Sequence, residues 1–307
     1  MIIVTGGAGF IGSNLIFGLN GIGRTDILVV DDLRAGEKHR NLNHARFTDI
    51  IGKDALLEKL DTLTDVKAIF HQGACADTTE SDGRYMMRNN YEYSQRLLHF
   101  AEERGARLIY ASSAAVYGAG QGGFREEAVC EDPLNVYGFS KLVFDNYVRQ
   151  RSGKQVATGL RYFNVYGPHE QHKGRMASVA LHLYRQLQVG ERMKLFEGSD
   201  GFLRDFIHID DVVAINLWFL ANPVAGIFNC GSGQARPFTD VASTLQALEG
   251  KGALELIPFP ADLVAKYQKF TQADLTRLRQ AGYDRPMSSL EQGLASYHQV
   301  LRGGGYR

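Results

Sequence analysis

Short, almost wholly apolar runs recur through the first half of the chain, at 2–5 (IIVT), 27–30 (ILVV), 68–71 (AIFH), 108–111 (LIYA) and 156–161 (VATGLR). Continuous apolar runs of this length, bounded by Gly, Asp and Ser, mark strands buried on both faces, as in a parallel sheet covered by helices. Between them, 13–19, 90–104 and 137–151 carry apolar positions at helical spacing. The alternation predicts an α/β fold with a doubly wound parallel sheet. Beyond about residue 165 the rhythm changes to helices at 176–189, 210–220, 239–248, 274–281 and 288–301, with a strand at 227–230 that rejoins the sheet. The expected organisation is a sheet domain over 1–168, its sheet completed by later segments near 205–235, and a smaller, mostly C-terminal substrate-binding domain over 169–307. The glycine-rich stretch 118–133 reads as a loop, Trp218 as a core residue of its helix, and Gly303-Gly304-Gly305 as a fraying tail.

Composition narrows the classes of function. The 34 basic residues cancel the 34 acidic ones, so no overall field draws in a polyanion, and neither nucleic acid nor a membrane surface is an expected partner. No apolar run approaches the ~18 residues of a membrane span, and Met1-Ile2-Ile3-Val4-Thr5 runs straight into a glycine-rich turn, so a soluble, cytoplasmic protein is expected. Cys75, Cys130 and Cys230 are scattered without C-x-x-C spacing and the nine histidines are dispersed, so neither a disulfide framework nor a metal site is expected.

Candidate chemistry begins at Gly6-Gly7-Ala8-Gly9-Phe10-Ile11-Gly12, which follows a strand and opens a helix. Glycines at 6, 9 and 12 allow a tight turn, close approach of backbone to a pyrophosphate and close helix packing, while the helix N-terminus offers N–H groups to phosphate. Asp31-Asp32 ends the next strand, where an acidic residue meets an adenosine ribose; Arg34, Lys38, His39 and Arg40 follow, and Lys38 is the expected contact for a 2′-phosphate. Gln72-Gly73-Ala74-Cys75-Ala76 supplies small residues against which a cofactor lies, with Asn89 or Asn90 reaching it. Ser113 follows the strand at 108–111. Tyr137 and Lys141, four apart on a helix, share a face about 6 Å from each other, and an ammonium there favours the phenolate. Tyr137 then serves as a proton shuttle, with Ser113 holding the substrate oxygen and a nicotinamide taking hydride.

The glycine-rich first turn, the serine after a central strand and Tyr-x-x-x-Lys together resemble the extended short-chain dehydrogenase/reductase family, across essentially the whole chain. Arg161 to Pro168 (RYFNVYGP) and Arg204 to Val212 (RDFIHIDDV) are similar to the segments by which its nucleotide-sugar epimerases and dehydratases hold substrate. His172-Lys173-Gly174, Lys194 to Ser199 and Tyr267 to Leu275 narrow the resemblance to a branch that acts on an ADP-linked heptose. It implies a Rossmann-type NADP-binding domain, NADP as cofactor with NAD as the alternative, an ADP-heptose substrate and a homo-oligomer, often a pentamer. It also implies Lys53, Val165 and Lys173 beside the cofactor, Lys173 as a second acid/base, and Asn164, Arg175, His182, Phe196, Glu197, Gly198, Ser199, Arg204 and Tyr267 around the sugar nucleotide. Two departures stand out: Arg175 replaces a small residue after Lys173-Gly174, and Asp32 stands where the family often has Asn. Rival readings are a UDP-hexose 4-epimerase, a 4,6-dehydratase, disfavoured by Ala114-Ala115 where an Asp-Glu pair is usual, and a non-catalytic dinucleotide sensor.

Overall fold

The structure, a computed structural model, describes residues 1–33, 36–151, 157–190, 192–259 and 268–307; Arg34, Val156 and Tyr267 lie outside them. In chain order the first half runs β1 (Ile2–Thr5), α1 (Phe10–Gly21), β2 (Ile27–Val30), β3 (Asp49–Ile51), α2 (Lys53–Lys59), β4 (Ala68–His71), α3 (Gly83–Met86), α4 (Tyr93–Arg104), β5 (Arg107–Ser113), α5 (Val136–Gln150) and β6 (Ala157–Tyr162). The second half runs β7 (Asn164–Tyr166), α6 (Val179–Gln188), β8 (Met193–Phe196), β9 (Leu203–His208), α7 (Ile209–Ala221), β10 (Gly226–Cys230), β11 (Ala235–Pro237), α8 (Phe238–Glu249), β12 (Leu254–Ile257), α9 (Thr276–Gln280) and α10 (Leu290–Arg302).

The central sheet has the order β10-β6-β5-β4-β1-β2-β3, and every pairing in it is parallel. Successive residues of its strands feed opposite cores, which is why the strands read as unbroken apolar runs. Ile2, Val4, Ile27 and Val29 pack with Leu15 and Ile16 of α1 and Val212, Ile215 and Phe219 of α7. Ile3, Leu28 and Ile69 face the other way, onto Leu56 of α2, Leu97, Leu98 and Phe100 of α4 and Phe144 of α5. Strand order reverses between β1 and β4, and in such sheets a ligand crevice opens there, at the carboxyl ends of the strands.

Of the later segments expected to complete this sheet, only β10 does. β9 pairs instead with β7, and β11 with β9, in a separate three-stranded sheet, order β11-β9-β7. A third core of Leu181, Leu183, Tyr184, Leu187, Leu195, Val241, Leu245, Leu294 and Tyr297 joins α6, α8 and α10 to β8. The helix expected over 176–189 starts later because Ser178 caps it, accepting from the Leu181 N–H at 3.3 Å. That expected over 274–281 shrinks to α9, with the Asp274 carboxylate accepting from the Thr276 N–H at 2.8 Å. The helix expected from residue 90 instead starts with α3, continuous with α4 through a π-turn at Met87–Glu92. Trp218 is half-buried at the rim of the core, edge-on to Phe219 and Tyr283. The fraying expected at Gly303 to Gly305 is absent, because the Gly305 carbonyl accepts from the His169 N–H at 3.3 Å and Gln171 Nε2 at 2.8 Å. Among the described residues no helix is long and apolar enough to cross a membrane.

Candidate active site

A cavity of about 480 Å³ opens where the carboxyl ends of β1, β2 and β4 meet. Gly6, Gly9, Phe10, Ile11, Gly12, Asp31, Asp32, Lys38, Lys53, Gln72, Gly73, Ala74, Cys75, Ala76, Asn89 and Lys173 all line it. Of the residues expected at a cofactor, Val165 does not: it lies on β7 and packs against the core beneath the sheet. Nor does Lys141, which is buried and near enough to the Cys75 thiol for the two to interact. The glycine turn is a cradle rather than an ordinary βα turn, since a Cβ on Gly12 would lie 2.2 Å from the Gly6 carbonyl oxygen. The cavity also holds an unspent donor: Gln72 Oε1 accepts from the Tyr162 hydroxyl at 3.0 Å, but its buried Nε2 has no partner among the described residues. Glycine cradle, open helix end, free amide and acidic strand end together fit a dinucleotide.

Asp31, 7% exposed, accepts from the Ala8 N–H at 3.0 Å with Oδ2 and pairs with Lys38 Nζ at 2.5 Å through Oδ1. Of the described residues in the basic cluster 38–40, Lys38 borders the cavity; Arg40 stacks on the Tyr306 ring, 4.6 Å from its centroid, and His39 is exposed. Asp32 accepts from the Lys53 N–H at the start of α2 at 3.3 Å, and Lys53 Nζ donates to Asn89 Oδ1 at 2.7 Å. Asn90 is a structural tie: it is buried, accepts from the Cys75 N–H at 2.8 Å and donates to the Cys75 carbonyl at 3.0 Å.

Ser113 ends β5, and its side chain hydrogen-bonds the Tyr137 phenol, so the strand end and the start of α5 meet at the predicted pair. Asn135 fixes the helix start by accepting from the Gly138 N–H at 2.8 Å. The expected acidification of Tyr137 by Lys141 is not found. Burial raises the phenol above its ordinary range, the Ser113 bond works against this, and the Cys75 thiol raises it further. The reason is that Lys141 Nζ donates to the Ala111 carbonyl at 2.8 Å, and burial brings its own pKa down to about 8, with Asp145 and Cys75 opposing.

Sequence reasoning missed what aims this face of α5. Asp145, fully buried one turn beyond Lys141, accepts from Tyr110 Oη, Ser112 Oγ and Arg161 Nε, each at 2.9 Å. These bonds pin the helix to β5 and β6. Asp145 lies at i+8 from Tyr137, a spacing that places it on the same helix face, but only the buried partners give the carboxylate a role.

Lys173 reaches the cavity from a 3₁₀ turn, Gln171–Met176, with Nζ 5.0 Å from the Phe10 ring centroid. Burial lowers its pKa and Glu170 opposes the shift. His172 lines the same wall and had not been singled out, although it shares a tripeptide with Lys173. Arg175, expected around the sugar nucleotide, is not among the residues lining this cavity and pairs with Asp77 at 2.8 Å. Asn164, exposed on β7, pairs with Phe206 of the neighbouring β9, two residues beyond Arg204. Arg204 is 6% exposed, donates to the carbonyls of Leu203 and Gln268, and stacks 5.6 Å from the Phe238 ring centroid. Half-buried His182 on α6 and the turn Phe196, Glu197, Gly198, Ser199 after β8 belong to the third core's unit. Among the described residues no group of three His, Cys, Asp or Glu side chains stands close enough to hold a metal ion.

Known proteins share this arrangement. The NAD dependent epimerase/dehydratase family matches residues 2–231. An ADP-L-glycero-D-manno-heptose-6-epimerase of Brachyspira hyodysenteriae is 55% identical over 318 aligned positions, covering 100% of this chain and 99% of that one. The Helicobacter pylori crystal structure of an enzyme of that name superposes with a TM-score of 0.87 at 34% identity, over 98% of this chain and 96% of the other. A UDP-glucuronic acid 4-epimerase of Bacillus cereus, in complex with UDP-glucuronic acid and NAD, superposes with a TM-score of 0.82 at 25% identity, over 98% and 99%. With its glycine cradle, its Ser113, Tyr137 and Lys141 set at the sheet rim and these full-length likenesses, the chain belongs to the NAD dependent epimerase/dehydratase family.

Proposed function

We propose that this protein inverts C6 of the heptose in ADP-D-glycero-β-D-manno-heptose, giving the L-glycero epimer that serves as heptose donor for the lipopolysaccharide inner core. The likeness to heptose epimerases names the sugar. The observation that carries the chemistry is a pair of candidate proton-transfer groups on separate segments: Lys173, which lines the dinucleotide cavity, and Tyr137, buried behind that lining with Ser113 and the cavity-lining Cys75 beside it.

The C6 hydrogen is not acidic, so it leaves as hydride; a bound nicotinamide dinucleotide supplies that redox chemistry and is regenerated each turnover. Tyr137 exchanges the proton of the C6 oxygen, Ser113 hydrogen-bonds that oxygen, and Lys141 holds the nicotinamide ribose. Rotation of the exocyclic group presents the 6-ketone's other face, where Lys173 acts as the second acid/base. NADP rather than NAD is assigned, because Lys38 adds a cation beside an Asp31 already engaged by the Ala8 N–H. Arg204 takes the substrate pyrophosphate, with Asn164, His182, Phe196 to Ser199 and Tyr267 completing the pocket. The working form is assigned as a cytoplasmic homo-oligomer, a pentamer by family resemblance.

The test is incubation with ADP-D-glycero-D-manno-heptose, read by NMR for the L-glycero epimer, with UDP-glucose in parallel. Tyr137→Phe, its fold checked by circular dichroism, is expected to lose at least ~10²-fold in turnover. Near wild-type epimerisation by that variant removes Tyr137 from the mechanism, and conversion of UDP-glucose alone reassigns the substrate.

A further inference from the structure

Lys173 sits on a segment with little regular structure of its own to hold it. The 3₁₀ turn Gln171–Met176 breaks at Gly174, which has φ +53° and ψ −126° and nothing within 4 Å of the place a Cβ would occupy. Glycine is therefore required there by the backbone and not by crowding. The break lets Lys173 face into the cavity while Arg175 faces out across its mouth.

The opposite wall is the loop leaving β4, whose residues Gln72 to Ala76 line the cavity and lead directly to Asp77. Asp77 Oδ1 accepts from the Thr79 N–H at 2.9 Å and from the Thr79 hydroxyl at 2.6 Å, which fixes the carboxylate in place. Arg175 Nη2 then donates to Asp77 Oδ2 at 2.8 Å and to Thr79 Oγ1 at 2.6 Å. These donors hold the Asp77 carboxyl down to about 2, so it is ionised at any working pH. The contact joins segments 98 residues apart in the chain.

We propose that Arg175 and Asp77 form a latch that fastens the Lys173 turn to the opposite wall of the cofactor cavity, positioning Lys173 and slowing the escape of the bound dinucleotide. The inference rests on reading the cavity as a dinucleotide site. Epimerisation through a ketone uses one cofactor for both hydride transfers, so a cofactor lost between them strands the intermediate. The latch is reversible: its side chains are 69% and 36% exposed, and water competes for both ends. Arg175 is on this account a positioning residue, and its guanidinium suits the task because Nη2, with two hydrogens, reaches both the carboxylate and the hydroxyl.

The experiment follows release of bound NADPH by its fluorescence after a chase with excess NADP⁺, in wild type, Arg175→Ala, Asp77→Ala, the Arg175→Ala/Asp77→Ala double variant and the charge-swapped Arg175→Asp/Asp77→Arg. Each single change is expected to speed release about two- to five-fold, the range open to an exposed pair. The double variant is expected to match the singles, the swap to restore slow release, and salt to speed the wild type towards the singles. In turnover, the singles lower kcat and leave KM for the ADP-sugar unchanged. Unchanged release in both singles, or effects that add in the double variant, overturns the latch. A raised KM in Arg175→Ala but not in Asp77→Ala overturns it too, and returns Arg175 to the sugar nucleotide. Release needs no sugar, so failure of the wild type to epimerise ADP-heptose would refute the proposed reaction separately.

Discussion

Lowering the pH from 7 to 5 is expected to destabilise the dinucleotide-free protein through three histidines that the fold keeps neutral. His71 Nδ1 lies 2.6 Å from Thr5 Oγ1 and its Nε2 2.8 Å from Ser94 Oγ; burial, then the charge of Lys141, pushes its pKa down to about 3. His169 Nε2 accepts from the Arg307 N–H at 3.0 Å while Nδ1 meets Ser13 Oγ at 2.9 Å; burial, then Arg307 and His172, lowers it to about 3. His172 Nδ1 accepts from Asn41 Nδ2 at 3.2 Å, and burial, then Lys38 and Lys173, lowers it to about 4. In the unfolded chain each titrates near ~6.5. Because the folded values are depressed, the unfolded chain takes up these protons first, so the stability present above ~6.5 is lost as the pH falls towards the folded values. At pH 5 the mismatch is ~1.5 units per histidine, or ~2 kcal/mol each and ~6 kcal/mol together. His208, which burial likewise lowers to about 4, adds to this loss, while Glu126, Asp205 and Asp211, whose carboxyls burial raises, work against it. Against a net stability of ~5–15 kcal/mol the loss is large. With ~2 cal/mol/K of unfolding entropy per residue, it lowers the melting midpoint by ~10 °C. Urea and thermal unfolding between pH 5 and 8, with NMR of the imidazole rings, read it directly. A midpoint that stays level from pH 7 to 5, or rings that titrate near ~6.5 in the folded protein, would refute the reasoning.

Three further outcomes follow from the site. Lys173→Met is expected to lose turnover severely while keeping its dinucleotide, seen by absorbance of the ligand released on denaturation; an active variant makes Lys173 an ordinary loop lysine. Gly12→Ala places a Cβ 2.2 Å from the Gly6 carbonyl, so dinucleotide affinity by calorimetry should fall at least ~10²-fold with the fold preserved, and unchanged affinity would mean that the turn does not cradle phosphate. Lys38→Met leaves Asp31 without its cation partner, so NADP affinity should fall about tenfold while NAD affinity holds; equal losses for both would take Lys38 away from the 2′-phosphate.

The central sheet was legible because each of its strands, apart from short, partly exposed β3, is buried on both faces, which turns the strand into an unbroken apolar word. Four of the strands that escaped notice, β7, β8, β11 and β12, span three or four residues and lie largely open to solvent or at an edge, too short to carry a period. Glycine spacing, an acidic strand end and Tyr-x-x-x-Lys pointed to the candidate site because they are local: each needs only its own turn or helix.

What the sequence by itself determined, then, was the layered sheet, the glycine turn that opens α1 and the candidates for proton transfer, each written within a few residues. Only the tertiary structure decided their state and reach. Burial, not the neighbouring amine, governs Tyr137, Lys141 is spent on the Ala111 carbonyl, and Arg175 crosses to Asp77. Desolvation and pairing between segments that lie far apart in the chain depend on what folding packs around a side chain, and no local pattern carries that information.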